Sequence, residues 1–267
     1  MNNFKSKLIE LCEKEYKDKP LVVPLGEMGD EPVYMDFLKI SGIFIAGSTG
    51  TGKSVLIDDI IHGLMYKNKP SNVMFSLIDP KKIELNEYDG NEYVIGGISM
   101  SSFDEIFNMF DYIKKEINFR INELTANNCK SIENYNKNMN NNLPHIFVIV
   151  DEGYDIINIV EIRNILTKIL EYGKNIGMHL IYSTNSYLKN LVKDGFISKF
   201  KYKMTFDLAS MEQEKLIKIK DSNWLSGNGD CKIRLSNSTI HFQALYSKDE
   251  EIDEIILHSK SEVDIIN

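Results

Sequence analysis

The sequence predicts a doubly wound α/β fold: a mostly parallel sheet flanked by helices, with an antiparallel extension toward its C-terminal end. Three observations carry that expectation. Four short runs, Ile43 to Ala46, Val73 to Ile78, Ile146 to Val150 and Met178 to Ser183, are largely apolar, as strands buried on both faces are. Segments with apolar residues at helical spacing separate them, and such alternation builds a parallel sheet through right-handed crossovers. Beyond Lys201 the pattern changes to two strand-like runs, Cys231 to Leu235 and Thr239 to Leu245, too close for a crossover helix.

Composition bounds the rest. The 267 residues are 43% hydrophobic, enough for the core of one large domain. No run approaches ~18 uninterrupted apolar residues, so no membrane span is expected. The charged start, MNNFKSKLIELCEKEYKDK, has no apolar leader and predicts a cytoplasmic protein. Cys12, Cys129 and Cys231 lack metal-ligand spacing and read as free thiols, and the histidines are isolated. A formal net charge of −8 argues against broad, sequence-independent coating of DNA, though a ring can hold nucleic acid on a few loops. Lysine is abundant, while Arg120, Arg163 and Arg234 are the only arginines.

In order, Phe4 to Lys17 reads as an amphipathic helix closed by Pro20, giving an N-terminal lead over residues 1–20. Leu21 to Leu25 and Val33 to Asp36 flank a Gly26-to-Pro32 turn and predict a hairpin. Ile43 to Ala46 is the first core strand, and Val55, Leu56, Ile60, Ile61 and Leu64 mark the helix after it. Val73 to Ile78 is the second, delivering Asp79, Pro80, Lys81 and Lys82. Phe103 to Leu124 predicts one long helix. The Asn-rich stretch Asn127 to Asn142 is expected to be a loop insertion. Ile146 to Val150, Ile159 to Asn175 and Met178 to Ser183 supply strand, helix and strand, with Gly177 past the helix end. Tyr202 to Phe206 is a strand, Met211 to Ile219 a helix, Gly227-Asn228-Gly229-Asp230 a turn, and Glu250 to His258 the final helix.

Chemistry concentrates where the first core strand ends. Gly47-Ser48-Thr49-Gly50-Thr51-Gly52-Lys53-Ser54 fits G-x-x-x-x-G-K-[ST] and lies between strand and helix, the context a phosphate-binding loop requires. Gly50 and Gly52 let backbone N–H groups close around phosphate oxygens, and the helix starting near Gly52 adds its N-terminal dipole. Lys53 is expected to reach the β- and γ-phosphates and the Ser54 hydroxyl to ligate Mg²⁺, with Val55 completing the nucleotide-binding set. The strand ending at Val150 delivers Asp151 and Glu152. Asp151 suits a Mg²⁺ ligand, and Glu152 suits the group that orients and deprotonates an attacking water. Thr184 and Asn185 end the fourth strand beside this site; they read equally as γ-phosphate sensors and as a capped loop.

Six stretches in order, GSTGTGKS, LIDPKKIELNEYDG, ENYN, VIVDEGYDI, IGMHLIYSTN and GNGD, resemble the motor domain of FtsK/SpoIIIE-type DNA translocases. These are RecA-like hexameric P-loop ATPases, and the likeness runs from about Leu21 to His258. The resemblance implies an ATPase domain over 21–258 with a short tail at 259–267. It implies ATP and Mg²⁺ as cofactors, and a homo-oligomeric, hexameric ring that moves double-stranded DNA through its pore. The family's membrane anchor and winged-helix tail have no counterpart in these residues, so a separate membrane or DNA-recognition partner is expected. Where the family has Ala-Thr-Gln-Arg-Pro, this chain has Ser183-Thr184-Asn185-Ser186-Tyr187; Asn185 keeps an amide, one methylene short. Family arginines are replaced by Lys174, Lys203 and Lys215, and the resemblance places Lys203 where a finger reaches the neighbouring subunit's nucleotide. Lysine keeps the charge and loses the planar fork.

Three functions fit these residues: a DNA translocase or coupling ATPase, an ATPase of a protein-secretion machine, and a nucleotide-binding assembly module with weak hydrolysis. Lys81, Lys82, Lys189 and Lys193 are candidate pore residues, with a solvated surface as the plainer account.

Overall fold

The computed structural model describes residues 5–14, 16–80, 85–97, 102–139, 142–153, 156–185, 195–208, 210–235, 238–246 and 255. Among the described residues, nine strands form one sheet: β1 (Val22–Met28), β2 (Glu31–Asp36), β3 (Gly42–Ala46), β4 (Val73–Ile78), β5 (His145–Val150), β6 (Met178–Thr184), β7 (Tyr202–Thr205), β8 (Asp230–Arg234) and β9 (Thr239–Ala244). Their order is β2-β1-β9-β8-β7-β3-β6-β5-β4. The run β7-β3-β6-β5-β4 is parallel. From β7 to β8 onward every pairing is antiparallel, as expected, and the N-terminal hairpin β1–β2 closes that edge by pairing with β9.

The central strands are buried on both faces because helices cover both. One face packs against α2 (Lys53–Lys67), whose Leu56, Ile57, Ile60, Ile61 and Leu64 meet Ile43, Ile45, Phe147, Met204 and Ile233. The other packs against α3 (Phe103–Ala126) and α5 (Val160–Ile176), whose apolar stripes meet Phe44, Val148, Leu180 and Tyr182. α1 (Lys5–Glu13) lies outside this sandwich; its Leu8, Leu11 and Cys12 are buried in a small cluster with Leu245.

Several boundaries differ from the sequence expectation. The expected Gly26-to-Pro32 turn shrinks to Gly29 and Asp30, because Gly26 to Met28 pair with Glu31 to Val33 in the β1–β2 ladder. α1 stops at Glu13 rather than Lys17, because Lys67 Nζ draws to itself the carbonyls of Tyr16 and Lys19 in the following turn, at 2.8 and 2.7 Å, and of Val22 at the start of β1, at 2.9 Å. The Asn-rich stretch is not wholly loop, since it contains α4 (Ile132–Met139). Ile132 and Tyr135 are buried one turn apart, Tyr135 Oη donates to Glu123 Oε2 at 2.7 Å, and Asn136 exchanges two hydrogen bonds with the Leu143 backbone. Poor helix formers are held there by tertiary contacts. A short α6 (Phe196–Lys199) precedes β7, and α7 (Met211–Ile217) ends two residues early at Lys218, which takes the left-handed conformation. The expected final helix lies outside the described residues except Ile255, as do Lys81, Lys82, Lys189 and Lys193. Among the described residues, no helix is long and apolar enough to cross a membrane, and no three His, Cys, Asp or Glu residues gather as metal ligands.

Candidate nucleotide site

The loop from Gly47 to Gly52 leaves β3 and enters α2 at the carboxyl ends of the parallel strands. Two anchors hold it: Ser48 N donates to Asp207 O at 2.7 Å, and Thr51 Oγ1 donates back to Ser48 O at 2.8 Å. Gly52 sits at φ 115°, and a Cβ there would come within 3.2 Å of the Gly229 backbone and 3.3 Å of the Phe206 ring. A side chain at that position is disfavoured by the backbone conformation and crowded by these neighbours. Gly52 is also the N-cap of α2 and offers no capping side chain, so the first N–H groups of the helix face the cavity without one.

That cavity has a volume of about 450 Å³. Thr49, Gly50, Gly52, Lys53, Ser54 and Val55 line one side and Glu152 another. Of the expected binding set, Gly47, Ser48 and Thr51 build the loop from behind. Lys53 is 5% exposed; its Nζ donates to Ser48 O at 3.0 Å and lies 3.7 Å from Glu152 Oε1. The ammonium is therefore curled against its own loop, with the carboxylate just beyond hydrogen-bond reach.

Asp151 and Glu152 follow β5, which β6 separates from β3. Glu152 adopts φ 51°, uncommon for a residue with a side chain, and its N–H donates to Ser183 Oγ at 3.2 Å. Tyr182 Oη donates to Gly153 O at 2.5 Å, holding the same turn from β6. Asp151 is buried, and Ser183 Oγ donates to its Oδ1. Asn185 Nδ2 meets Thr49 Oγ1 at 3.5 Å, linking the end of β6 to the loop. Beneath the first turns of α2, Tyr88 Oη donates to Asp58 Oδ1 at 3.0 Å; burial pushes that carboxyl well above its usual range, with Glu87 adding repulsion.

Lys203 is not brought to this cavity. It lies mid-strand in β7, level with Phe44 in β3 and opposite Arg234 in β8.

Sequence reasoning missed the far wall, made by Asn228, Gly229, Ala244, Leu245 and Tyr246. Gly227, Asn228 and Gly229 all have positive φ, at 74°, 50° and 87°. This coil lets Gly229 N donate to Thr51 O at 2.9 Å while Gly229 O accepts from Ala244 N at 2.8 Å. Three residues of the type that accept left-handed conformations, in a row before a strand, were the available signal; Ala244 to Tyr246 carry none.

The residues fit a magnesium-bound nucleoside triphosphate. A loop with glycine at positions 50 and 52 and an uncapped helix end suit phosphate, and Ser54 with Asp151 offers the oxygen donors that Mg²⁺ prefers. A strand–loop–helix phosphate cradle, with an acidic pair two strands away in a mostly parallel sheet, defines a P-loop ATPase fold. Solved structures agree. The cytoplasmic domain of the type VII secretion ATPase EccC from Thermomonospora curvata superposes with a TM-score of 0.80 at 20% identity, covering 97% of this chain and 33% of that one. The pCW3 conjugation coupling protein TcpA, in a monomer form with ATPγS, gives 0.78 at 19% identity over 93% and 72%. The family model for FtsK/SpoIIIE matches residues 8–193, and the chain belongs to that family. It is 27% identical to the DNA translocase FtsK of Lactiplantibacillus plantarum, over 94% of this chain and 34% of the relative, so it spans about a third of that relative's length.

Proposed function

We propose that this chain is the motor domain of an ATP-driven double-stranded DNA translocase or coupling ATPase, working in the cytoplasm as a hexameric ring. Residues 21–258 form the ATPase unit in this reading, and a separate membrane or DNA-recognition protein directs it. The observation that supports it most directly is Glu152 facing Lys53 across the loop-lined cavity in a family of DNA translocases.

The phosphate tail lies along the Gly47–Ser54 loop, taking backbone N–H donors from the start of α2. Lys53 exchanges Ser48 O for the β- and γ-phosphates. Ser54 and Asp151 hold Mg²⁺, which neutralises charge on the phosphate oxygens when bound. Glu152 orients and deprotonates the attacking water, its side chain aimed by the left-handed backbone that Ser183 and Tyr182 hold. Asn185 senses the γ-phosphate through Thr49. Asn228 and Ala244 to Tyr246 take the nucleoside end.

ATP turnover measured with and without duplex DNA, at low and moderate salt, tests this reading. Turnover should rise several-fold with duplex and lose that rise as salt screens phosphate contacts. A basal rate indifferent to DNA would move the cargo to protein, and absent turnover would reduce the chain to a nucleotide-binding module.

A further inference from the structure

α1 touches both elements that flank the nucleotide cavity, and it does so with one face. Leu8, Leu11 and Cys12 stand at i, i+3 and i+4, so a single stripe of the helix carries all three, and all three are buried. On one side Leu8 rests on α2 beside Gly63, where a Cβ would stand 3.8 Å from Leu8 Cδ1. Lys67, at the end of α2, fastens the turn after α1 through the carbonyls of Tyr16 and Lys19. On the other side the stripe packs in one cluster with Ile255 and with Leu245, the residue that follows β9. Tyr34 of β2 completes the seat, and its Oη donates to Leu11 O at 3.2 Å.

Leu245 is where this packing meets the ligand site. It lines the nucleotide cavity between Ala244 and Tyr246, yet it is only 7% exposed, with the α1 stripe packed against it. Its backbone is fixed from β1: Leu245 N donates to Leu25 O at 3.1 Å, next to the Gly26–Ala244 register pair. α1 is tied to the same strand, since Lys7 Nζ pairs with Glu27 Oε1 at 2.6 Å. The start of α2 faces the phosphate end of the cavity and residues 244–246 face the other end. α1 lies behind both and is held against both.

We propose that α1 is a brace for the nucleotide site: by seating Leu245 relative to α2 it positions the nucleoside wall and sets the affinity for the base and ribose. The inference rests on the nucleoside-end assignment made under the proposed function. Leu8, Leu11 and Cys12 act as positioning residues, and none of them lines the cavity. A close-packed interior passes a displacement on, so truncating Leu11 lets Leu245 settle into the vacated space and widens the cavity at that end alone. The phosphate loop, anchored on Asp207 O and Gly229 N, keeps its shape. The coupling runs both ways: a nucleotide that needs the seated wall holds α1 down by the same factor that α1 contributes to its affinity.

Calorimetric titration of the full chain with ATP and with inorganic tripolyphosphate, Mg²⁺ present in both, separates the wall from the loop. Leu11→Ala should weaken ATP binding on the order of tenfold and leave tripolyphosphate within about twofold of wild type. Ile117→Ala, an equally buried truncation in α3 on the far side of the sheet from α2, should change neither. Unchanged ATP affinity in Leu11→Ala overturns the brace. An equal loss for both ligands does the same, because it marks general loosening, and so does an Ile117→Ala chain that matches Leu11→Ala in its loss of ATP. Binding is read directly, so the result is independent of turnover and of DNA. A wild-type chain that binds tripolyphosphate as tightly as ATP overturns the wall and this inference while leaving the phosphate loop standing. One that binds neither overturns the nucleotide reading itself, and the brace with it.

A measurement on the unaltered chain decides the matter should Leu11→Ala fail to fold. Saturating ATP should slow amide exchange from Leu8 to Cys12 several-fold beyond any slowing by saturating tripolyphosphate. Equal protection by the two ligands, or none by ATP, overturns the brace.

Discussion

Strands β5 and β6 carry buried polar groups at both ends, and the two ends treat them differently. At the amino ends, His145 and His179 stack with Nδ1 and Nε2 3.1 Å apart, and His179 Nδ1 meets Ile40 O at 2.9 Å. Arg120, 1% exposed, bonds Glu116 at 2.7 Å and the carbonyls of Ile176 and Gly177 at 2.9 and 3.3 Å. At the carboxyl ends, Glu152 sits on strained backbone, Lys53 is tethered to its own loop, and Lys53–Glu152 and Asn185–Thr49 are long at 3.7 and 3.5 Å. One end satisfies its polar groups on one another. At the other, Ser183 and Tyr182 hold the Asp151–Glu152 turn beside a cavity, and the left-handed backbone at Glu152 persists because these neighbours impose it. The same kind of side chain is structural at one end and, in the proposed function, poised for a ligand at the other.

The largest expected effect tests the poised end. Glu152→Gln should bind ATP with near wild-type affinity and lose turnover on the order of 10²–10⁴-fold, because in the proposed function this change removes only the base for water. Lys53→Ala should lose binding as well, since backbone donors offset phosphate charge only in part. Neither change should lower the urea midpoint, as neither side chain fills the core. A Glu152→Gln protein that turns over ATP at the wild-type rate would remove the carboxylate from the mechanism.

Arg120→Met reverses the pattern. It leaves two carbonyls and Glu116 without their shared donor, at a cost of about 3 kcal/mol. Urea unfolding should show the loss, while turnover per folded molecule stays at the wild-type level. A stable Arg120→Met protein with impaired turnover would erase the distinction between the two ends.

How much of this was legible in the sequence follows from the range of each signal. The phosphate loop, the Asp151–Glu152 pair and the core strands are local patterns, with partners a few residues away. The mostly parallel pairing and the antiparallel extension follow from alternation and short connections, whereas the strand order is set by long-range packing. The far wall of the cavity was not legible, because Ala244 to Tyr246 meet the loop only through long-range pairing of β9 with β8 and β1. Helix α4 was hidden because asparagine propensity points to loop, while Tyr135 joins the core of α3 and α5 and Ile132 is buried beside Gly177. The Lys203–Arg234 contact has the same origin. Two cations 31 positions apart become neighbours through strand register alone, and no composition or spacing rule joins them.

The smallest expected effect sharpens the amino end. Burial pushes the pKa of both His145 and His179 down, with Arg120 repelling the charged form of His145 and His145 that of His179. Their folded values lie below the unfolded value near 6.5, so across the interval between them the unfolded chain binds more protons than the folded one. Stability from these groups is complete above about pH 6.5 and falls as pH drops toward the folded values. One such histidine gives a slope of about 1 kcal/mol per pH unit between pH 6 and 5. His179→Gln keeps a polar group at Ile40 O and removes one titrating site, so its stability should fall less steeply over that interval. Urea midpoints at pH 7, 6 and 5 for both proteins supply the comparison. Parallel slopes would mean that the pair is not held neutral by the fold, and that acid sensitivity resides elsewhere, as at His62, which burial pushes down to about 4 beside Tyr88. A shallower slope in the variant ties acid sensitivity to the satisfied end of the strands, away from the cavity.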